Sequence, residues 1–365
     1  MKIEKISEVN FINKPHFLIV AAGTGGHIFP GLAIANACLS RKIKVSWVGT
    51  PKGMEHELVD KNKIHFYSIN MSGARGKGLF NWLKIPFILL NAIYQSLLLL
   101  QKIQPKIIIL MGGYICAPIA IAAKIKNIPV VIHEQNSIPG LANKYLSLIA
   151  NKVFLGLKND QLKGKVIGNP VRASIYKIIE PSQRFLKRKG PLRILIIGGS
   201  LGALSFNEKI PDILSSLSKD KQLIITHQSG MKHYHALIDN YKKSKLNVSV
   251  KAFIKNIHKY YEWTDIVIAR AGAITVSELS ISGVASILVP YPHAVDNHQY
   301  FNARLLEKKK GAQIILESKL GVELPDALKK LSRRKCLQMA CNAKSKVPLN
   351  PCNQIIDYCL KNHER

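Results

Sequence analysis

The chain has 365 residues, 47% of them hydrophobic, with 53 Lys+Arg against 22 Asp+Glu and a formal charge of +31. At roughly 100–200 residues per domain that length serves about two domains with full cores, and the Ile/Leu/Val runs exclude intrinsic disorder. The six cysteines (Cys38, Cys116, Cys336, Cys341, Cys352, Cys359) are too sparse for a disulfide scaffold and contain no Cys-x-x-Cys pair, so they read as reduced thiols in a cytosolic protein rather than as bridges or zinc ligands.

The first residues, MKIEKISEVNF, hold no uninterrupted apolar run, so no secretory signal is expected. From residue 16 onward, strand-like apolar runs alternate with helix-length amphipathic segments, the pattern of parallel α/β sheets. Strands are predicted at 16–22 (HFLIVAA), 44–49 (KVSWVG), 106–111 (KIIILM), 130–133 (VVIH) and 152–155 (KVFL), with a helix over 30–40 after the first. Residues 79–100 (LFNWLKIPFILLNAIYQSLLLL) are almost long enough to span a bilayer, but Asn81, Lys84, Pro86, Asn91 and Gln95 interrupt them. A core-packed helix is the first reading there, an interfacial helix the second and a spanning helix the last. A second strand series runs through 193–197 (RILII), 222–227, 247–252, 266–269 (IVIA) and 285–290. Both series open with a hydrophobic strand entering a glycine turn, FLIVAAGTGG at 17–26 and RILIIGGSLGA at 193–203, so two α/β halves are expected rather than one large sheet. Residues 180–191 (EPSQRFLKRKGP), charged and bracketed by prolines, read as the linker between them. Beyond about residue 325 the chain reads as basic helices packed on one half.

The glycine turns oppose a dehydrogenase. A dinucleotide fingerprint needs G-x-G-x-x-G and an acidic residue about 20 positions on. Here Ile28 stands at the third glycine position, the next strand ends in Gly49-Thr50, and neither turn carries a phosphate-loop lysine. Glycine turns at helix N-termini still offer N–H groups to a phosphate. Further strand-end clusters are 111–114 (MGGY), 133–136 (HEQN), 270–278 (RAGAITVSE) and the polar loop 291–299 (YPHAVDNHQ). Functional loops of parallel sheets lie at strand carboxyl ends, so together these describe a cleft between two tandem halves. The ordinary reading of Glu134 alone is a capping or salt-bridging carboxylate. The lysines are spread along the chain with no arginine-rich arm and no aromatic–basic platform, so a solvated surface explains most of the charge and no specific nucleic-acid partner is expected.

In order and spacing, GTGGHIFPG, MGGY, HEQN, GNPVR, GGSLGA, RAGAITVSE and PHAVDNHQ resemble the MurG family of peptidoglycan glycosyltransferases over residues 16–310. The resemblance implies a GT-B fold, two Rossmann-like α/β domains with parallel sheets facing across a cleft: 1–179 for the acceptor and membrane, 180–340 for UDP-GlcNAc, and 341–365 as a helix crossing back to the first domain. It implies inverting transfer of GlcNAc from UDP-GlcNAc to the 4-hydroxyl of MurNAc in undecaprenyl-pyrophosphoryl-MurNAc-pentapeptide (lipid I), giving lipid II. It also implies a donor site of Thr24, Gly25 and Gly26 beside Asn136 and Arg172 in the first domain. In the second domain the donor contacts would be Ser200, Ile254 (backbone to uracil), Ala273, Ile274, Thr275, Val276, Ser277, Glu278 (to ribose) and Gln299. His27 and Glu134 are the candidate general bases, His27 preferred. No cofactor and no metal are expected, since the chain has no Asp-x-Asp pair. Because the acceptor is a lipid, docking on the anionic cytoplasmic membrane face is expected through Arg75, Lys77 and the Trp82/Phe87 region. The nearest rival is an isomerase of the UDP-GlcNAc 2-epimerase kind, similar in architecture and donor.

Overall fold

The structure, a computed structural model, describes residues 15–60, 64–71, 85–217, 222–242, 244, 246–345 and 350–362. Residues 1–14 and the predicted docking residues Arg75, Lys77 and Trp82 lie outside the described residues. The chain divides into two compact units, the first comprising described residues 15–135, 139–170 and 350–362 and the second 136–138 and 171–345.

The first unit is a seven-stranded parallel sheet: β1 (His16–Val20), β2 (Lys44–Gly49), β3 (His65–Ser68), β4 (Ile107–Leu110), β5 (Val130–Glu134), β6 (Lys152–Leu155) and β7 (Lys165–Val166), in the order β3-β2-β1-β4-β5-β6-β7. Successive strand side chains alternate between faces, which divides the continuous apolar runs into two cores. Phe17, Ile19, Trp47, Ile107 and Ile109 pack with the helix Gly25–Ser40 and with Ile355, Ile356 and Cys359 of the helix Pro351–Asn362. Leu18, Val20, Val48, Ile108 and Leu110 pack on the other face with the helices Ile85–Ile103 and Cys116–Ile125. Each such side chain contributes about 1.5–3 kcal/mol by leaving water, which is why these strands read as unbroken hydrophobic runs.

The helix Ile85–Ile103 is held by a narrow stripe of Ala92, Ser96, Leu100 and Ile103. Phe87 (74% exposed), Leu90 (64%), Tyr94 and Leu98 lie on its solvent side. The expected core-packed helix is thus packed by one narrow stripe only. It is long and apolar enough to cross a membrane by length and composition alone.

The second unit repeats the topology with six parallel strands: β8 (Leu192–Ile197), β9 (Leu223–Gln228), β10 (Asn247–Lys251), β11 (Ile266–Ala269), β12 (Ser286–Leu288) and β13 (Ala312–Ile314), ordered β10-β9-β8-β11-β12-β13. Ile194, Ile196, Ile266 and Ile268 face the helices Leu204–Leu217 and Leu320–Lys329. Leu195, Ile197, Val267 and Ala269 face the helix Ala273–Ser282. In each sheet the strand order reverses beside the first strand, between β1 and β4 and between β8 and β11, which is where open parallel sheets bind ligands.

Four sequence expectations need correction. The boundary falls after Pro170, not at 179, because Val171, Ile175 and Ile178 belong to the second unit's core. The segment 180–191 is not a linker: it carries the helix Pro181–Phe185, Arg184 is buried, and Arg188 pairs with the buried Asp265 at 2.8 Å. The tail does not pack on one half. Arg333–Ala343 joins the second unit through Cys336, Met339 and Ala340, so residues 341–343 are not part of the last helix, whereas Pro351–Asn362 packs in the first unit, where Asp357 pairs with Arg41. Finally, Asn136 and Arg172 belong to the second unit, for reasons given below.

Candidate functional site

In the first unit, β1 ends in a glycine turn (Gly23, φ +95°) and the helix starts at Gly25, five residues ahead of the predicted Pro30. Thr24 is its N-cap, with extended backbone and no side-chain capping bond. The Thr24 carbonyl accepts from the N–H groups of His27 (3.0 Å) and Ile28 (3.3 Å), so Gly25 and Gly26 supply first-turn N–H groups with no intrahelical acceptor. The helix start thereby places His27 in its first turn. Its Nδ1 lies 3.3 Å from the Ala22 carbonyl, which can only accept, so Nδ1 carries the proton. In the tautomer with the proton on Nδ1 alone, Nε2 is the nitrogen that can take up a proton. It sits over Gly112, which follows β4 at the same switch point. A Cβ on Gly112 would lie 2.9 Å from Nε2, and its φ of +108° also demands glycine.

Glu134 ends β5 and is 1% exposed. Its Oε2 accepts from the Gly140 N–H (3.1 Å) and from Asn143 Nδ2 (2.9 Å), so the carboxylate fixes the turn into the helix Leu141–Leu146. Its neighbours in the HEQN motif are struts. His133 is buried; Nε2 donates to the Gly168 carbonyl (3.1 Å) while Nδ1 accepts from Gln135 Nε2 (3.3 Å), and burial holds its pKa down at about 4. Gln135 also donates to the Met111 carbonyl at 2.9 Å, tying β5 to the MGGY turn. The Asn143 Oδ1 is buried with no hydrogen-bond partner among the described residues.

In the second unit, Gly272 caps the helix Ala273–Ser282, which begins two residues ahead of the predicted Thr275. The cap makes no side-chain bond, and the first intrahelical donor is the Val276 N–H to the Gly272 carbonyl (3.0 Å). The N–H groups of Ala273, Ile274 and Thr275 therefore form an anion-receptive end. Glu278, one turn in and 6% exposed, accepts from the Tyr261 hydroxyl (3.1 Å), with Arg172 Nε 3.9 Å from its other oxygen. Burial, partly opposed by Arg172 and the Tyr261 bond, raises the Glu278 pKa above the usual carboxylate range. Arg172 is held from the second unit's side, donating to the Lys255 carbonyl at 3.0 Å. Asn136 is held likewise: Asn302 Nδ2 donates to its Oδ1 (3.2 Å), and Ser137 donates twice to Asn302 Oδ1.

Ser200 lies in the turn after β8, where Gly202 and the turn Gly230 approach so closely that a Cβ on Gly202 would sit 2.0 Å from the Ser229 carbonyl oxygen. Gln228, at the end of β9, bridges this turn and Ile254: it donates to the Gly199 carbonyl (2.8 Å) and accepts from the Ile254 N–H (2.9 Å). The Ile254 N–H is thereby engaged within the second unit. Gln299 accepts from the Tyr291 N–H (3.0 Å), closing the polar loop after β12.

Thr24, Gly25, Gly26, His27 and Glu134 thus gather at the first sheet's strand ends. Asn136, Arg172, Ser200, Ile254, the run 273–278 and Gln299 belong to the second unit. Gln228, Asn302, Tyr261 and Asn143 were missed. Gln228 ends a strand, while Asn143, Tyr261 and Asn302 lie within helices among other polar residues, where nothing in the sequence sets them apart. Among the described residues no three His, Cys, Asp or Glu side chains could share a metal ion.

The glycosyltransferase family 28 N-terminal domain matches residues 17–155 and the family 28 C-terminal domain matches residues 193–350. The chain is 42% identical over 328 residues to the UDP-N-acetylglucosamine--N-acetylmuramyl-(pentapeptide) pyrophosphoryl-undecaprenol N-acetylglucosamine transferase of Dechloromonas aromatica (strain RCB), covering 90% of this chain and 93% of that one. The crystal structure of Acinetobacter baumannii MurG superposes with a TM-score of 0.80 at 34% identity, covering 95% and 99%. The chain belongs to the MurG family. Its two units are the two Rossmann-like domains of a GT-B glycosyltransferase. The UDP-GlcNAc 2-epimerase of Neisseria meningitidis, at 16% identity and TM-score 0.61 over 95% and 100%, shares the fold with this MurG-family chain.

Proposed function

We infer that the protein transfers GlcNAc from UDP-GlcNAc to the 4-hydroxyl of the MurNAc of lipid I, with inversion, giving lipid II for peptidoglycan synthesis. The observation that carries the chemistry is the second unit's switch point, an open helix N-terminus with a buried carboxylate one turn in. The N–H groups of 273–275 receive the diphosphate, Glu278 accepts from ribose hydroxyls, and the Ile254 carbonyl accepts from uracil. Ser200, Gln299 and Asn136 complete the donor contacts, and Arg172 adds positive charge as the UDP leaving group forms. Preorganised dipoles of this kind are often the largest catalytic contribution.

His27 Nε2 takes the proton of the attacking hydroxyl, beside the open N–H groups of Gly25 and Gly26. Its tautomer supports this role, and the two donors converging on one Glu134 oxygen make that carboxylate a positioning group. The lipid acceptor brings the enzyme to the cytoplasmic membrane face. Phe87, Leu90, Tyr94 and Leu98 offer an apolar face for docking there, a role that sedimentation with anionic vesicles before and after Phe87→Ser/Leu90→Ser tests.

Radiolabelled UDP-GlcNAc, incubated with and without a lipid I analogue, separates this reading from its rival. Label entering the lipid only when acceptor is present supports transfer. Acceptor-independent conversion to a second UDP-sugar would support an epimerase of the same fold.

A further inference from the structure

The second unit has another concave feature, at the amino ends of its strands and so on the opposite sheet edge from the glycine turns. It is a cavity of about 490 Å³, with Arg184 and Arg188 in its lining together with Lys187, Arg193 and one carboxylate, Glu262. Volumes of roughly 300–1,000 Å³ are those of small-molecule sites.

The cations divide into two kinds. Arg188 is fully engaged: it donates to the Thr264 carbonyl (2.6 Å), to Asp265 (2.8 Å) and to the Glu262 carbonyl, and stacks 4.5 Å over Phe185. Arg184 uses its two terminal nitrogens on the Ser282 (2.9 Å) and Gly283 carbonyls, at the C-terminal end of the helix Ala273–Ser282. Its Nε, however, is buried and has no hydrogen-bond partner among the described residues. That nitrogen is closed to solvent, so Arg184 adds positive charge to the cavity wall rather than a donor that reaches a ligand. Lys187 and Arg193 have no ion-pair partner among the described residues, and the one nearby acid that is fully buried, Asp265, is already shared by Arg188 and Arg333. Burial first, and then the charge of Arg188, hold the Arg184 pKa down at about 10. The side chains Ile179 and Leu186 stand exposed beside this charge.

We propose that this cavity binds a multiply charged phosphate compound of small-molecule size, with Lys187 and Arg193 as the cations that reach it and the buried charges of Arg184 and Arg188 behind them. Guanidinium groups match phosphate oxygens in geometry as well as charge, and Ile179 and Leu186 accommodate an apolar part of the same molecule. The compound is either a free phosphorylated molecule or the headgroup of an acidic phospholipid. The site stands apart from the donor site, so its binding does not depend on the transferase reading.

The test uses the full chain with saturating UDP present and two probes, tripolyphosphate followed by calorimetry and phosphatidylglycerol vesicles followed by sedimentation. Lys187→Gln/Arg193→Gln spares the buried Arg184, and Lys308→Gln/Lys309→Gln removes the same charge from an exposed turn elsewhere in the unit. Expected is one tripolyphosphate site per chain, weakened at least tenfold by the first pair and less than twofold by the second, with UDP affinity unchanged. Loss of vesicle binding in the first pair alone, without tripolyphosphate binding, identifies the headgroup as the ligand. Equal effects of the two pairs, or no effect of the first on either probe, overturns the proposal.

Discussion

Glu278→Gln isolates what the buried carboxylate contributes to donor binding. Glutamine keeps the shape and can still accept from Tyr261, but it removes the charge. A hydrogen bond to an ionised group is worth about 1.5–3 kcal/mol against about 0.5–1.5 kcal/mol for a neutral pair. Arg172 sits 3.9 Å away and is about one-third exposed, so losing its attraction adds little. The net loss is about 1–2 kcal/mol, or roughly 5–30-fold in affinity. Calorimetry with UDP should therefore show a Kd raised by that factor, and steady-state assays a raised donor KM with kcat changed much less, since the ribose contact is made equally in ground and transition states. Tyr261→Phe removes the neighbour of the carboxylate but no donor contact and should weaken UDP by less than threefold. A UDP affinity within twofold of wild type in Glu278→Gln would refute the assignment.

Three more outcomes follow from the same geometry. His27→Ala should lower turnover by about 10²–10⁴-fold, the usual range for a general base, while UDP affinity stays within about twofold; unchanged turnover removes it from the mechanism. Burial holds His133 at about 4 and His227 at about 3, both below the ordinary 6.5. As pH falls from 6.5 toward 4 the unfolded chain binds protons that the folded one refuses, so stability should drop by about 1.4 kcal/mol per pH unit for each histidine; urea melts at pH 7.5 and 5 read this, and His227→Gln, if it folds, should flatten the slope. Activity should survive EDTA, and complete loss restored only by added divalent metal would contradict leaving-group neutralisation by helix dipole and Arg172.

Strands buried on both faces, such as IIIL at 107–110 and IVIA at 266–269, could be read in the sequence because unbroken apolar side chains satisfy two cores at once. The strands His65–Ser68, Lys165–Val166 and Ala312–Ile314 were missed because they are short, lie at or beside the sheet edges and mix polar with apolar residues. Glycine turns advertise their positions by conformational need, so the loops around Gly25, Gly112 and Gly202 were legible. The partners that set their geometry were not. Gln228, Asn143 and Asn302 act across 26 or more residues or through a buried amide, and a single polar residue carries no periodicity. The charged stretch 180–191 misled for a related reason: composition records that Arg184 and Arg188 are charged, but not that backbone carbonyls and Asp265 wait for them inside the fold.

The central claim is tested most directly by incubating the full chain with UDP-GlcNAc and a short-chain lipid I analogue, then measuring the mass of the lipid product. A product heavier by one N-acetylhexosamine, with one UDP released per transfer, is the predicted result. An unmodified lipid under conditions where UDP-GlcNAc is bound would contradict it.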